Sequence, residues 1–312
     1  MSRVPEKPAQ GLTNEQIEAF WRDGVICVRN LYSPEWVDRL RVALDKLSST
    51  PSPIFGNPRP GEDFHGLYAW FTDDTIRDFV LQGPSAWIAQ QAFRSSRVNF
   101  FYDQIFIKRK LSPNPTPWHH DFTFWPFNGD QIASLWTSVD AVDAESSSLE
   151  FVKGSHRWPQ RFRAIGIDGT DVTSGKKMDE LPDIAKDRDK YDIVSWAVEP
   201  GDALFFHALT LHGARGNSSS KTGRRAITTR WCGDDVRYAA DRPTIPYRHE
   251  LKDGDPLSGY LYPRVLPFID DSDLKRRDAG PIFPDKELLE EAMKFHQNAK
   301  KEPVLLERRE KA

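Results

Sequence analysis

Cysteine is nearly absent from this chain: Cys27 and Cys232 are the two in 312 residues, with neither pairing motif nor zinc-type spacing. A disulfide framework and a thiolate metal site are thereby excluded, and a reducing, cytoplasmic setting is expected. Long hydrophobic runs are missing as well. No stretch approaches the ~20 apolar residues of a membrane span, and the opening Met-Ser-Arg-Val-Pro-Glu-Lys-Pro lacks the apolar core of a signal peptide. Nor does one sign of charge prevail. The 43 basic and 46 acidic residues are interspersed and leave a net charge of −3, so the cationic face that binding a phosphate backbone requires is not there. A small molecule is the expected partner, rather than nucleic acid or a membrane.

What the chain does have is apolar bulk. Hydrophobic residues make up 38%, with 19 Phe and 10 Trp, and 312 residues suit a single domain with one sizeable core. Thr13 and Gln16 form a capping box before Ile17, Phe20 and Trp21, predicting a short helix that ends at Gly24. Val25 to Leu31 reads as a strand. Ser33-Pro34 opens a second helix carrying Val37, Leu40, Leu44 and Leu47 and stopping before Pro51. Residues 51–66, rich in Pro and Gly, read as loop, and 75–81 and 85–93 as helices. From residue 97 the texture changes. Short runs over 98–108, 131–139, 149–152, 192–198, 203–206 and 226–231 are β-branched, aromatic or alternating, which suggests a barrel or sandwich supported by the helices of about 13–96. The barrel is placed at about 97–235. A polar stretch at about 157–191 reads as a lid or surface insertion, with Lys176, Lys177 and Lys186 on a solvated face. A C-terminal extension from about 236 to 312 holds one further helix, near Pro284 to Asn298.

The chemistry concentrates in Trp118-His119-His120-Asp121-Phe122. On a strand, residues two apart share a face, so His119 and Asp121 converge. One imidazole and one carboxylate, completed by an imidazole from elsewhere, make the facial triad that leaves open positions on Fe(II) for a 2-oxoacid and O2. The third ligand is sought in the segment from Gly201 to Gly213, which carries His207 and His212. These are an odd number apart and on one regular strand would face opposite ways, so at most one is a ligand. The aromatic run Phe122, Phe124, Trp125 and Phe127 is either core or a substrate wall. His156 is expected to close a turn, and His65, His249 and His296 to be surface or loop residues.

Asp103 to Lys108, the residues from Trp118 to Asp121, Leu135-Trp136, Leu149 to His156 and Gly201-Asp202 through Ile227 together resemble the phytanoyl-CoA dioxygenase family. The resemblance implies a mainly β double-stranded β-helix, a cupin-like jelly-roll barrel with flanking helices. It implies Fe(II) on His119, Asp121 and His212, the last followed by Gly213. It also implies 2-oxoglutarate anchored by Arg224 and contacted by Trp136 and Lys108, with O2 consumed and succinate and CO2 released. Relatives usually carry Gln where His120 stands, so this residue is placed in the substrate pocket with Phe122, Trp125 and His207, although His207 reads most simply as a satisfied core histidine. Asp121 retains the carboxylate that halogenating relatives lack, which favours hydroxylation of a small, partly apolar metabolite. Two other readings use the same ligands: a cupin-like isomerase, and a barrel that binds without catalysis.

Overall fold

The capping box forms as the sequence predicts. Thr13 Oγ1 accepts from the Gln16 amide at 3.1 Å while Gln16 Oε1 accepts from the Thr13 amide at 3.0 Å. Helix α1 (Asn14–Asp23) then ends at Gly24, whose φ of +83° no β-carbon would permit here, since one would collide with His156 and Thr210. In the computed structural model, residues 4–50, 61–163, 178–241, 247 and 249–268 are described. After α1 come β1 (Val25–Val28), α2 (Pro34–Leu47), β2 (Phe64–Leu67), α3 (Asp74–Gln82), α4 (Ser85–Phe93), β3 (Val98–Lys108) and β4 (Thr116–His119). These are followed by β5 (Phe127–Asn128), β6 (Ile132–Ser138), β7 (Leu149–Val152), β8 (Ile193–Ser195) and β9 (Ala203–His207). The last are β10 (His212–Ala214), β11 (Arg224–Cys232), β12 (Arg237–Tyr238) and β13 (Arg264–Leu266).

The protein is mainly β and its ladders are antiparallel. A seven-stranded sheet runs β1-β9-β6-β11-β3-β13, with β2 also paired to β3, and a four-stranded sheet runs β4-β10-β7-β8. The period of two sorts each strand of the large sheet between two cores. On β11, Ile227 and Trp231 join Phe20, Leu40, Leu44, Ile88 and Phe93 beneath the helices. Ala226 instead joins Trp136, Leu204 and Phe206 of the large sheet with Leu149 and Phe151 of the small one. The two sheets therefore face each other across a shared apolar layer, in which the Phe206 and Phe151 rings lie 5.1 Å apart.

Three expectations need correction. Residues 51–66 are not all loop, because β2 begins at Phe64 and pairs with β3 from Phe64↔Ile107 to Leu67↔Gln104. The insertion is not wholly polar surface: Phe162 and Ile184 are buried with Val152 and Leu211 in a third apolar cluster. The extension beyond 236 adds buried Tyr238, Tyr247, Leu257, Tyr262 and Val265, and it contributes β13 to the edge of the large sheet. Lys176, Lys177, His296 and the helix expected near Pro284 to Asn298 lie outside the described residues. Among the described residues, no helix is long and apolar enough to cross a membrane.

Candidate active site

Strand register brings the two histidines together: His212 on β10 stands directly opposite His119 on β4, with ring centroids 4.2 Å apart. The close approach of these strands explains the glycine after His212. A β-carbon at Gly213 would lie 3.1 Å from the Thr116 carbonyl oxygen and 3.3 Å from the Trp118 ring. Asp121 is not on the strand, as the His-x-Asp reading assumed; β4 ends at His119 and Asp121 opens a 3-10 turn. His120 between them is still extended, at φ −119° and ψ 148°, so the alternation survives long enough to return Asp121 to the same side.

Asp121 Oδ1 lies 3.5 Å from His119 Nε2 and 3.8 Å from His212 Nε2, and one ligand atom from each residue falls within 4.8 Å of the others. The surrounding hydrogen bonds leave these atoms free. His119 Nδ1 donates to the Pro117 carbonyl at 2.8 Å and His212 Nδ1 to the Thr210 carbonyl at 2.9 Å. A carbonyl can only accept, so each Nδ1 carries a proton and Nε2 is the nitrogen turned to the site. Asp121 Oδ2 accepts from Ser134 Oγ at 2.6 Å, which turns Oδ1 toward the histidines. Burial alone would raise the Asp121 carboxyl, but contact with His119 and the charges of His212 and Arg230 outweigh it and hold it below the usual range. Burial, then His119, pushes His212 down to about 4, so its imidazole is neutral near pH 7. Two imidazoles and one carboxylate suit a divalent metal of the Fe(II) kind.

A second group of buried polar atoms lies at one end of the interior. Arg224 and Lys108 are register partners on β11 and β3, 2% and 6% exposed. Arg224 donates to the Ser147 carbonyl, and Lys108 Nζ donates to Ser147 Oγ and to the Arg215 carbonyl, each at 3.1 Å. No carboxylate forms an ion pair with either among the described residues. Burial, and then Arg224, push Lys108 down to about 7, and burial pushes Arg224 down to about 10. The Arg224 guanidinium lies 5.8 Å from the Trp136 ring, and Arg224 Nε and Trp136 Nε1 are both buried donors with no acceptor. Such orphans are rare, and two side by side under two cations fit an absent anion. A cavity of about 590 Å³ opens onto Arg224 and Lys108, lined also by His65, Phe106 and Thr116, and it reaches Pro117, which holds His119.

Three residues expected in the substrate pocket are committed elsewhere. His120 closes a ring of hydrogen bonds. Its Nε2 accepts from the Phe162 amide at 3.0 Å, its Nδ1 meets Thr123 Oγ1 at 3.1 Å, and that hydroxyl donates to the Phe162 carbonyl at 2.9 Å. Burial pushes this imidazole down to about 3, which keeps the accepting nitrogen unprotonated. His207 faces the helices, where Nε2 donates to the Asp130 carbonyl at 2.8 Å, Nδ1 accepts from the Leu209 amide at 3.1 Å, and the ring packs on Phe20 and Trp21. Trp125 is 2% exposed, in the core against Phe101, with its Nε1 donating to Tyr102 Oη at 3.1 Å. Phe122 is buried too, 5.9 Å from the Arg161 guanidinium, whereas Phe124 sits edge-on to the His119 ring at 6.2 Å. His156 donates to the Trp21 carbonyl at 3.0 Å and ties the insertion to α1. His65 is not a loop residue; it stands on β2 and bonds Gln104. Arg230 was missed altogether. It faces the same side of β11 as Arg224, a relation that alternation reveals only once the strand's inner face is known.

A family model for phytanoyl-CoA dioxygenase (PhyH) matches residues 20–226, about two thirds of the chain. The chain belongs to the phytanoyl-CoA dioxygenase family. Peroxisomal phytanoyl-CoA dioxygenase of Rattus norvegicus is 26% identical over 129 residues, which are 41% of this family member and 36% of that enzyme. The family member thus spans about a third of the length of that relative. Among solved structures, SnoK, a non-haem α-ketoglutarate-dependent carbocyclase from nogalamycin biosynthesis, superposes with a TM-score of 0.66 at 24% identity, covering 83% of this chain and 98% of that one. EctD from S. alaskensis, solved with 2-oxoglutarate and 5-hydroxyectoine, gives 0.62 at 18% identity, covering 82% and 90%. At such identities the likeness establishes a common fold.

Proposed function

We propose that this chain is an Fe(II)- and 2-oxoglutarate-dependent dioxygenase that hydroxylates an unactivated C–H of a small, partly apolar metabolite, releasing succinate and CO2. The observation that carries the reading is one arrangement. His119, Asp121 and His212 present three free ligand atoms within 4.8 Å of one another, and a buried Arg224 with an orphaned Nε faces the same interior. Family membership agrees with it. The facing sheets are the walls of a double-stranded β-helix, and the two free cysteines suit a cytoplasmic setting.

When bound, iron and 2-oxoglutarate supply the oxidising power to break a strong C–H bond. The rest is done by side chains. Pro117 and Thr210 fix the two imidazoles through Nδ1, and Ser134 fixes the carboxylate through Oδ2, so the ligand atoms are aimed before metal arrives. Arg224 takes the far carboxylate of 2-oxoglutarate with Lys108 beside it, and the Trp136 indole N–H supplies a further donor. Phe151 and Phe206, flanking His212 at ring distances of 5.9 and 4.6 Å, keep that side of the centre dry. A cupin-like isomerase, or a barrel that merely binds, would have no need of two buried cations that find no carboxylate among the described residues.

The test is anaerobic. Fe(II) and 2-oxoglutarate added together should give the weak visible charge-transfer band of an iron–oxoacid chelate, and His119→Ala should abolish it. An undiminished band in His119→Ala would sink the assignment of the metal site.

A further inference from the structure

We propose that Arg230 anchors the substrate by a carboxylate, at the other end of the interior from Arg224. The inference rests on the dioxygenase reading and adds a substrate class to it: small monocarboxylates.

Arg230 lies six residues beyond Arg224 on β11, which at strand rise puts the two about 20 Å apart. That distance lets 2-oxoglutarate occupy Arg224 while Arg230 stays available. In register, Arg230 stands opposite Ser134, and the Ser134 hydroxyl holds Asp121 at 2.6 Å. One cross-strand pair therefore separates the guanidinium from the carboxylate of the metal triad.

Its surroundings fix its position without neutralising it. NH1 donates to the Thr228 carbonyl at 3.2 Å and NH2 to Gln104 Oε1, while Nε has no acceptor. Two of five N–H donors are thus matched in a side chain that is 2% exposed. The guanidinium carbon lies 4.4 Å from the Tyr102 ring centroid. That ring is braced by Trp125, and Gln104 is held in turn by the His65 ring. Among the described residues no carboxylate forms an ion pair with Arg230. Asp103 is occupied by the Ala69 and Trp70 amides at 3.0 and 2.9 Å, and Asp121 belongs to the triad.

A buried charge is expensive unless paired and fully hydrogen-bonded, so the missing partner is an anion from outside. A single negative charge is indicated. Burial first, and then Arg230, push His65 down to about 4, so near pH 7 the ring adds no second positive charge to the cluster. A doubly charged phosphate would find one cation; a carboxylate finds its match in the planar fork.

The experiment uses the full chain with Fe(II) and saturating 2-oxoglutarate under anaerobic conditions. Octanoate is titrated against octanamide, and 3-phenylpropanoate against 3-phenylpropanamide, by tryptophan fluorescence and calorimetry. At least one acid should bind about tenfold or more tightly than its amide, and Arg230→Met should erase that preference while leaving the amide unchanged. Arg230→Lys keeps the charge without the fork and should retain part of it. Affinity for 2-oxoglutarate should stay within about twofold in Arg230→Met, since distant sites are independent. Equal binding of acid and amide to the unmodified protein overturns the proposal, and needs no variant to fold. So does loss of 2-oxoglutarate binding in Arg230→Met, which would make Arg230 the cosubstrate's residue. Absence of the charge-transfer band before any acid is added would instead strike the dioxygenase reading.

Discussion

Two pairs of neighbours in this protein share a residue type and have opposite fates. On β11, Arg225 points outward and is held by Asp140 and Asp45, with contacts of 2.5 and 2.8 Å. Arg224 points inward and, among the described residues, has no carboxylate. Before β5, His120 is spent on the Phe162 backbone while His119 keeps a bare Nε2 toward Asp121. In both pairs the residue that the protein satisfies by itself holds structure, and the residue left wanting a partner faces the interior where ligands go. The outward charges are raised or balanced by neighbours, as in Arg225, whose pKa goes up through Asp140. Arg224, facing inward, is pushed toward neutrality by burial.

The sharpest way to break this contrast is to remove the two arginines separately. Arg224→Ala should weaken 2-oxoglutarate binding by ~100-fold or more without lowering the melting temperature, because a buried unpaired cation is lost along with its contacts. Arg225→Ala should do the reverse, costing ~1 to 2 kcal/mol in chemical denaturation, as expected for a bidentate, partly buried pair, with 2-oxoglutarate affinity within about twofold. If both variants lost affinity equally, the two faces of β11 would not differ in function.

For the histidine pair, His120→Ala should retain iron but strand the Phe162 amide, costing about 1 to 3 kcal/mol of stability. It should also speed proteolysis around residue 162, and His120→Gln, which keeps an acceptor, should recover part of the loss. Loss of iron with unchanged stability would show that His120 belongs to the site after all.

The smallest effect sharpens the comparison through pH. Lys108, pushed down to about 7, is charged below that pH and neutral above it. In the unfolded chain a lysine holds its proton to about pH 10.4. Between these values the unfolded state binds more protons, so Lys108 makes folding stability rise with pH from about 7 toward about 10. Binding of the dianionic cosubstrate runs the other way, weakening severalfold between about pH 6 and 8.5 as the cation is lost. Isothermal titration across that range checks it, and Lys108→Met should flatten the profile.

How much of this was legible beforehand follows from the same alternation. β3 carries a long run of β-branched and aromatic residues and announces itself, as does α1 through Thr13 and Gln16. β2 does not, because Phe64-His65-Gly66-Leu67 is four residues behind a Pro-rich stretch and becomes a strand only where β3 offers it an edge. The metal triad is legible from spacing and family resemblance together, whereas the places of His120 and His207 are not, because a sequence does not state which way a ring turns. Arg230 escaped for a related reason. An arginine inside Thr228-Thr229-Arg230-Trp231 looks like a solvated face until pairing with Ser134 shows which side is interior.

Ser147 carries a consequence of its own. This buried serine sits at φ +75°, accepts from Arg224 through its carbonyl and from Lys108 through its hydroxyl, and donates that hydroxyl to the Arg215 carbonyl. One left-handed residue thereby sets the spacing of both cations, so the stretch joining β6 to β7 tolerates little change of length: inserting or deleting a residue there would pull the two charges out of step although neither had been touched.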